Sequence, residues 1–260
     1  MTIKSIYETR VCAFIDVLGF ADAVVESAKD SEQATRLHSA LQVIAGTTPA
    51  WQSEGFERFV DNWISDQLFG DGAPIAHDDL IARYRLLNRG TIFSDSIVLS
   101  ASPAPVPIWA MVFKIAALAQ NLARLGLLVR GGVATGELFH STDQVFGPAF
   151  VDAYRIESQV AIYPRIVVAP SCLPQFEAEG PSNGLHLRDY LRTDFDGLSH
   201  IDVFSTHLMS AMIDRSAFGK HVQNNFDELS QREKDLSVFA KLRWYCMYLE
   251  EKFGPNAPST

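Results

Sequence analysis

After Pro103, Pro105 and Pro107, apolar residues recur at Ile108, Met111, Val112, Ile115, Leu118, Leu122 and Leu125, in steps of 3, 1, 3, 3, 4 and 3. This is the period of a helix with one continuous apolar face, and Gly126 supplies its stop. Such a face has to be laid on another element to leave water. The chain offers strands for it. Val11–Val17 is a short β-rich apolar run with an acid near its end, Asp16. Tyr84–Phe93 and Ile97–Ser100 flank the polar tip Ser94-Asp95-Ser96 and read as a hairpin. Leu127–Ala134 is a further strand that Gly136 ends, and Arg165–Ala169 another.

Between these lie helical patterns. Phe20, Val24 and Ala28 follow Gly19, and Ser31 caps a continuation with Leu37, Leu41 and Ile44. Pro148 opens a helix that runs to Gln159. The order β-α-β-β-α-β-α-β predicts an α+β fold of ferredoxin-like βαββαβ character, with a largely antiparallel sheet and helices on one side of it. Residues 46–86 are irregular and read as a helical insertion. A hairpin is expected across Tyr190–Phe204, and one helix from about Phe226 to Phe253. The expected division is a domain over residues 1–205 with a helical C-terminal extension over 206–260 packed on it.

Composition limits the partners. Hydrophobic residues make up 47% and charged residues 20%, enough apolar matter for a core. Lys and Arg total 22 against 31 Asp and Glu, a net charge of −9. That balance argues against nucleic acid and against direct binding to an anionic membrane, since both need clustered cations. Cys12, Cys172 and Cys246 form no CxxC pair, and no signal-like or membrane-spanning apolar stretch stands out. A soluble, cytoplasmic protein is expected. The seven histidines show no metal-ligand spacing.

Two acids are placed where chemistry can occur. Asp16 ends a buried strand and Asp95 sits at a hairpin tip, and in a βαββαβ sheet the first strand neighbours that hairpin. Two carboxylates meeting at ~4 Å repel by about 4 kcal/mol at an effective dielectric near ~20. A divalent cation between them removes that cost, and oxygen-rich pairs of this kind suit Mg²⁺ or Mn²⁺ together with substrate phosphates. The plainer reading makes Asp16 a helix cap and Asp95 a turn residue.

The surrounding residues resemble class III nucleotide cyclases. Phe14-Ile15-Asp16-Val17-Leu18-Gly19-Phe20 is similar to the first metal motif of that family, and Thr91-Ile92-Phe93-Ser94-Asp95-Ser96 to the second. Val129-Arg130-Gly131-Gly132-Val133-Ala134-Thr135-Gly136-Glu137 resembles its central strand. Val145-Phe146-Gly147-Pro148, continuing through Tyr154-Arg155-Ile156-Glu157, resembles its arginine-bearing helix. The resemblance spans roughly residues 11–160. It implies two divalent cations (Mg²⁺ or Mn²⁺) held by Asp16, Asp95 and the backbone of Val17. It also implies in-line attack of a ribose 3′ oxygen on an α-phosphate, and Arg155 as the cation meeting charge in the transition state. Gly19, Phe20 and Arg130 fall at substrate-binding positions, although Arg130 serves equally well as half of a buried ion pair. One set of motifs per chain implies a homodimer with two equivalent sites.

The departures concern the base. The family's two purine-reading positions fall on Thr91 and Gln144, and neither the adenine nor the guanine code is present. The ribose-orienting Asn falls on Val151. In these respects the chain resembles the bacterial pyrimidine cyclases of anti-phage cyclic-nucleotide defence (Pycsar type). That resemblance implies UTP or CTP as substrate, UTP favoured, and a separate effector protein that senses the cyclic product. Two alternatives stay open: a catalytically degenerate nucleotide-binding or dimerisation module, and a purine nucleotide cyclase. A GGDEF-type enzyme would need a second acid beside Asp95, where Ser96 stands.

Overall fold

The computed structural model describes residues 6–47, 88–141, 143–177, 186–206, 208–209 and 214–255. Most of the insertion expected at 46–86 lies outside them. Eight strands make one mixed, mostly antiparallel sheet: β1 (Glu8–Leu18), β2 (Asn88–Phe93), β3 (Ser96–Ala101), β4 (Leu128–His140), β5 (Val145–Phe146), β6 (Ile166–Val168), β7 (Leu191–Thr193) and β8 (Ser199–Ile201). Their order is β2-β3-β1-β4-β6-β8-β7, with β5 paired to β4. Seven α-helices are described: α1 (Phe20–Ser27), α2 (Ser31–Thr47), α3 (Pro105–Arg124), α4 (Pro148–Arg155), α5 (Leu173–Glu177), α6 (Arg215–Arg232) and α7 (Leu236–Phe253). The chain is therefore α+β. None of the described helices is long and apolar enough to cross a membrane.

β1 lies at the centre, antiparallel to β3 on one side and to β4 on the other. Successive side chains of a strand point to opposite faces, and β1 uses both. Val11, Ala13, Ile15 and Val17 join the main core with Ile108, Met111, Ile115 and Leu122 of α3 and with Tyr245 and Leu249 of α7. Cys12 and Phe14 face the other way, into a smaller cluster with Ala149 and Ala153 of α4. The helices thus do not all lie on one side. A strand apolar at every position, as Val11–Ile15 is, needs cover on both faces.

Other expectations are corrected in detail. β4 continues through Gly136 to His140, because Gly136 pairs with Arg10 of β1 and tertiary pairing outweighs glycine's weak strand preference. The α2 cap is Asp30, whose carboxylate accepts from Glu32 N at 2.8 Å, and not Ser31. The C-terminal run is two helices. Asp235 accepts from the backbone of Ser237 and Val238 and so restarts the chain as α7. All three cysteines are buried free thiols.

α7 is fixed to the far end of the sheet by polar contacts. Trp244 Nε1 donates to Asp194 at 2.8 Å, Tyr248 donates to Asp202 at 2.5 Å, and Lys252 pairs with Asp202. Trp244 and Tyr245 are buried in the main core.

Candidate active site

The first site residue follows from strand pairing. Asp16 stands opposite Arg130 in the β1–β4 ladder, on the face that carries Phe14 and α4. Tight pairing of β2 with β3 brings the hairpin tip to the same end of β1, with Phe93 opposite Ser96 and Ser94 at φ 58° in the turn. Ser96 Oγ donates to Asp16 Oδ1 at 3.0 Å. Burial raises the Asp16 carboxyl above its ordinary value, and the nearby Asp95 charge adds to this, while the Ser96 hydrogen bond and the Arg130 charge oppose it. The structure therefore brings Asp16 and Asp95, 79 residues apart in sequence, into one electrostatic site.

Immediately beyond, Gly19 takes φ 73° and starts α1 with no side-chain cap among the described residues. A helix N-terminus of this kind favours anions. Phe20 turns inward against the main core, and Val17 is buried.

Arg130 is committed. Its Nε donates to Glu157 Oε1 at 2.7 Å, and Glu157 is 3% exposed. A partly buried ion pair is thus the role the structure shows for Arg130, with a second effect as a cation beside Asp16. Glu157 lies on a π-helical turn over Ile156–Val160 that continues α4, a widening frequent at functional sites. Gly132 lets this turn lie directly on β4: a Cβ there would stand 2.6 Å from Ile156 Cβ. Gly132 is therefore a packing requirement for the α4 end, whereas a Cβ at Gly131 would stand 2.7 Å from the Phe14 carbonyl oxygen of β1.

Arg155 is not gathered with the two aspartates. It lies on the exposed side of α4, where it pairs with the similarly exposed Asp152 at 3.6 Å. The charges that act most on Asp16 are those of Asp95 and Arg130. Val151 is also exposed, at 41%. Tyr154 packs edge-on against Phe14, with ring centroids 5.3 Å apart.

Thr91 and Gln144 sit further along the same face. Thr91 Oγ1 lies 2.9 Å from His140 Nε2, and Ser100 Oγ 2.8 Å from His140 Nδ1. Gln144 is exposed in the turn after β4, which closes with Ser141 N donating to Gln144 O at 2.8 Å. Sequence reasoning did not assign roles to Ser96, Glu157 or His140. Ser96 carried a signal, being adjacent to Asp95 at a hairpin tip; the other two become visible only once β4 is paired.

Chemically, the Asp16–Asp95 pair offers oxygen ligands only. Among the described residues no group of three or more His, Cys, Asp or Glu is placed to hold a metal. Two carboxylates completed by phosphate oxygens and water are nonetheless the ordinary environment of a substrate-linked Mg²⁺. Neither a family model nor a curated protein matches the chain.

Proposed function

We propose that this chain is a nucleotide cyclase acting on a pyrimidine nucleoside triphosphate, UTP in preference to CTP, and working as a homodimer. The observation that carries the reading is the convergence of Asp16 and Asp95 beside the uncapped start of α1. Asp16, a carboxylate whose ionisation burial and the Asp95 charge already disfavour, gains most from a divalent cation, and the uncapped start of α1 fits the phosphates such a cation accompanies. The strand order β2-β3-β1-β4, antiparallel throughout, is also the order of a βαββαβ core. Within this reading the core is that of a class III cyclase.

The chain's own groups then divide the work. Asp16, Asp95 and the Val17 carbonyl would hold two divalent cations (Mg²⁺ or Mn²⁺), which when bound acidify a ribose hydroxyl and neutralise phosphate charge. Ser96 orients the Asp16 carboxylate through its hydrogen bond. The Arg130–Glu157 pair fixes the π-turn against β4, the strand paired with the one that carries Asp16. Arg155, exposed on α4, serves the site of a second copy, where it meets charge developing on the α-phosphate. The product would be a 3′,5′-cyclic pyrimidine nucleotide, with pyrophosphate leaving. In the defence role, a separate effector senses it.

A second reading, a nucleotide-binding or dimerisation module without turnover, is favoured by one observation: Val151 presents an apolar surface where an amide would orient ribose. Incubation with each of the four ribonucleoside triphosphates and Mn²⁺, followed by mass analysis, separates the readings. A cyclic pyrimidine nucleotide is expected. Binding without product supports the module, and a cyclic purine product would overturn the assignment of the base.

A further inference from the structure

On the sheet face that carries Asp16, the strands also hold a buried polar chain whose hydrogen-bond directions can be worked out. Arg10, Ser100 and His140 are each 2% exposed or less, and Thr91 is 8% exposed. Arg10 Nε donates to Ser100 Oγ at 2.9 Å. Ser100 Oγ is 2.8 Å from His140 Nδ1, and Thr91 Oγ1 is 2.9 Å from His140 Nε2. Burial, reinforced by the charges of Arg10 and Arg89, lowers the His140 imidazole to about 4, so the ring is neutral at pH 7. A neutral imidazole has one donor nitrogen and one acceptor.

The direction follows from the arginine. Arg10 has no acceptor capacity, so Ser100 Oγ receives its hydrogen. Among the described residues, the acceptor within reach of the Ser100 hydroxyl hydrogen is His140 Nδ1. The proton of the ring is then on Nε2, and Nε2–H donates to Thr91 Oγ1. The opposite tautomer would leave the hydroxyl hydrogen of Ser100, 1% exposed, without an acceptor, which costs more than leaving that of Thr91, 8% exposed, to solvent or a ligand. Thr91 thus accepts from His140, and its own hydroxyl hydrogen has no acceptor among the described residues. Gln144, the other base-reading position, carries both a donor and an acceptor on a side chain that can be turned over, so it fixes no polarity.

We propose that His140 is a specificity-determining positioning residue: it holds Thr91 as a hydrogen-bond donor toward position 4 of a pyrimidine base, accepting the carbonyl of uracil and rejecting the amino group of cytosine. This rests on the cyclase reading for the placement of a base at Thr91. The discrimination itself is a matter of polarity, since a fixed donor facing an N–H donor leaves both unpaired.

The test is calorimetric binding of UTP and CTP, with Ca²⁺ replacing the catalytic cation so that affinity is read without turnover. The protein is expected to bind UTP at least about tenfold more tightly than CTP, the ratio that one buried hydrogen bond supports. Thr91→Val should abolish the ratio by weakening UTP alone, and Thr91→Ser should keep it. His140→Leu should shrink the ratio although the Thr91 hydroxyl remains. A triphosphate whose base is 2-pyrimidinone, with no group at position 4, should bind the wild type and Thr91→Val alike. Independently of any variant's folding, nitrogen-15 NMR of the wild type should show a neutral His140 protonated on Nε2. Protonation on Nδ1 would overturn the proposal, as would equal affinity for UTP and CTP. Preferential UTP binding with no cyclic product would contradict the cyclase reading while supporting this assignment. Failure to bind any nucleotide would overturn both.

Discussion

The two faces of the sheet are built by the same strands, and β1 shows the contrast within a few residues. On one face Val11, Ala13, Ile15 and Val17 are 2% exposed or less, under α3 and α7. On the other, Arg10, Phe14 and Asp16 meet polar partners or a single short helix. Each polar group there has a defined counterpart: Asp16 has Ser96, Arg130 has Glu157, and His140 has Ser100 and Thr91. Exposed apolar residues, Phe93, Val151 and Tyr154, belong to the hairpin and to α4 beside this face. One face supplies folding energy through burial. The other holds side chains in positions that burial alone would not select. Period-two alternation lets a single strand serve both ends.

Substitutions on the two faces should therefore separate activity from stability. The largest effect is expected from Asp16→Asn, which should lower cyclase turnover by about a thousandfold, the scale of losing one preorganised electrostatic group. Thermal unfolding should show the variant as stable as the parent or more so, since a carboxylate whose ionisation is disfavoured has been removed. Leu122→Ala on the opposite face should do the reverse. It is fully buried, and its truncation should cost about 3 kcal/mol in denaturant unfolding, with turnover per folded molecule unchanged.

Acid should also act on the polar face. His140 is held near 4 in the folded chain, below its usual 6.5, so the unfolded chain binds the additional proton between those values. Stability from this group is full above about pH 6.5 and is lost as pH falls toward about 4, by about 3 kcal/mol in all. His200, buried at the far end of the sheet and also lowered to about 4, acts in the same direction. Denaturant midpoints across this range should show a shallower fall for His140→Gln than for the parent. The smallest effect on stability is expected from Arg155→Ala, within about 0.5 kcal/mol because the side chain is exposed. Its kcat should fall by about a hundredfold with little change in KM.

Much of this architecture was legible in the chain. The Ile108–Leu125 period found α3, the apolar run at Val11 found the central strand, and the hairpin placed Asp95 beside Asp16. These rest on local periodicity and on the single neighbour a hairpin requires. What stayed hidden depends on pairing between distant strands. Nothing local shows that Gly136 continues a strand, that Asp235 divides the C-terminal helix, or that α4 crosses to the opposite face. Arg130 is the instructive case: its two readings could not be separated until Glu157, 27 residues on, was placed against it.

The central claim is that each chain contributes two half-sites, with Asp16 and Asp95 in one and Arg155 in the other. Mixing and re-equilibrating Asp16→Asn with Arg155→Ala, and then measuring cyclic product from UTP, tests it directly. Random reassortment gives heterodimers in which one of two sites regains both Asp16 and Arg155, so activity should rise to about a quarter of wild type. A mixture no more active than the sum of the separate variants would contradict the shared site.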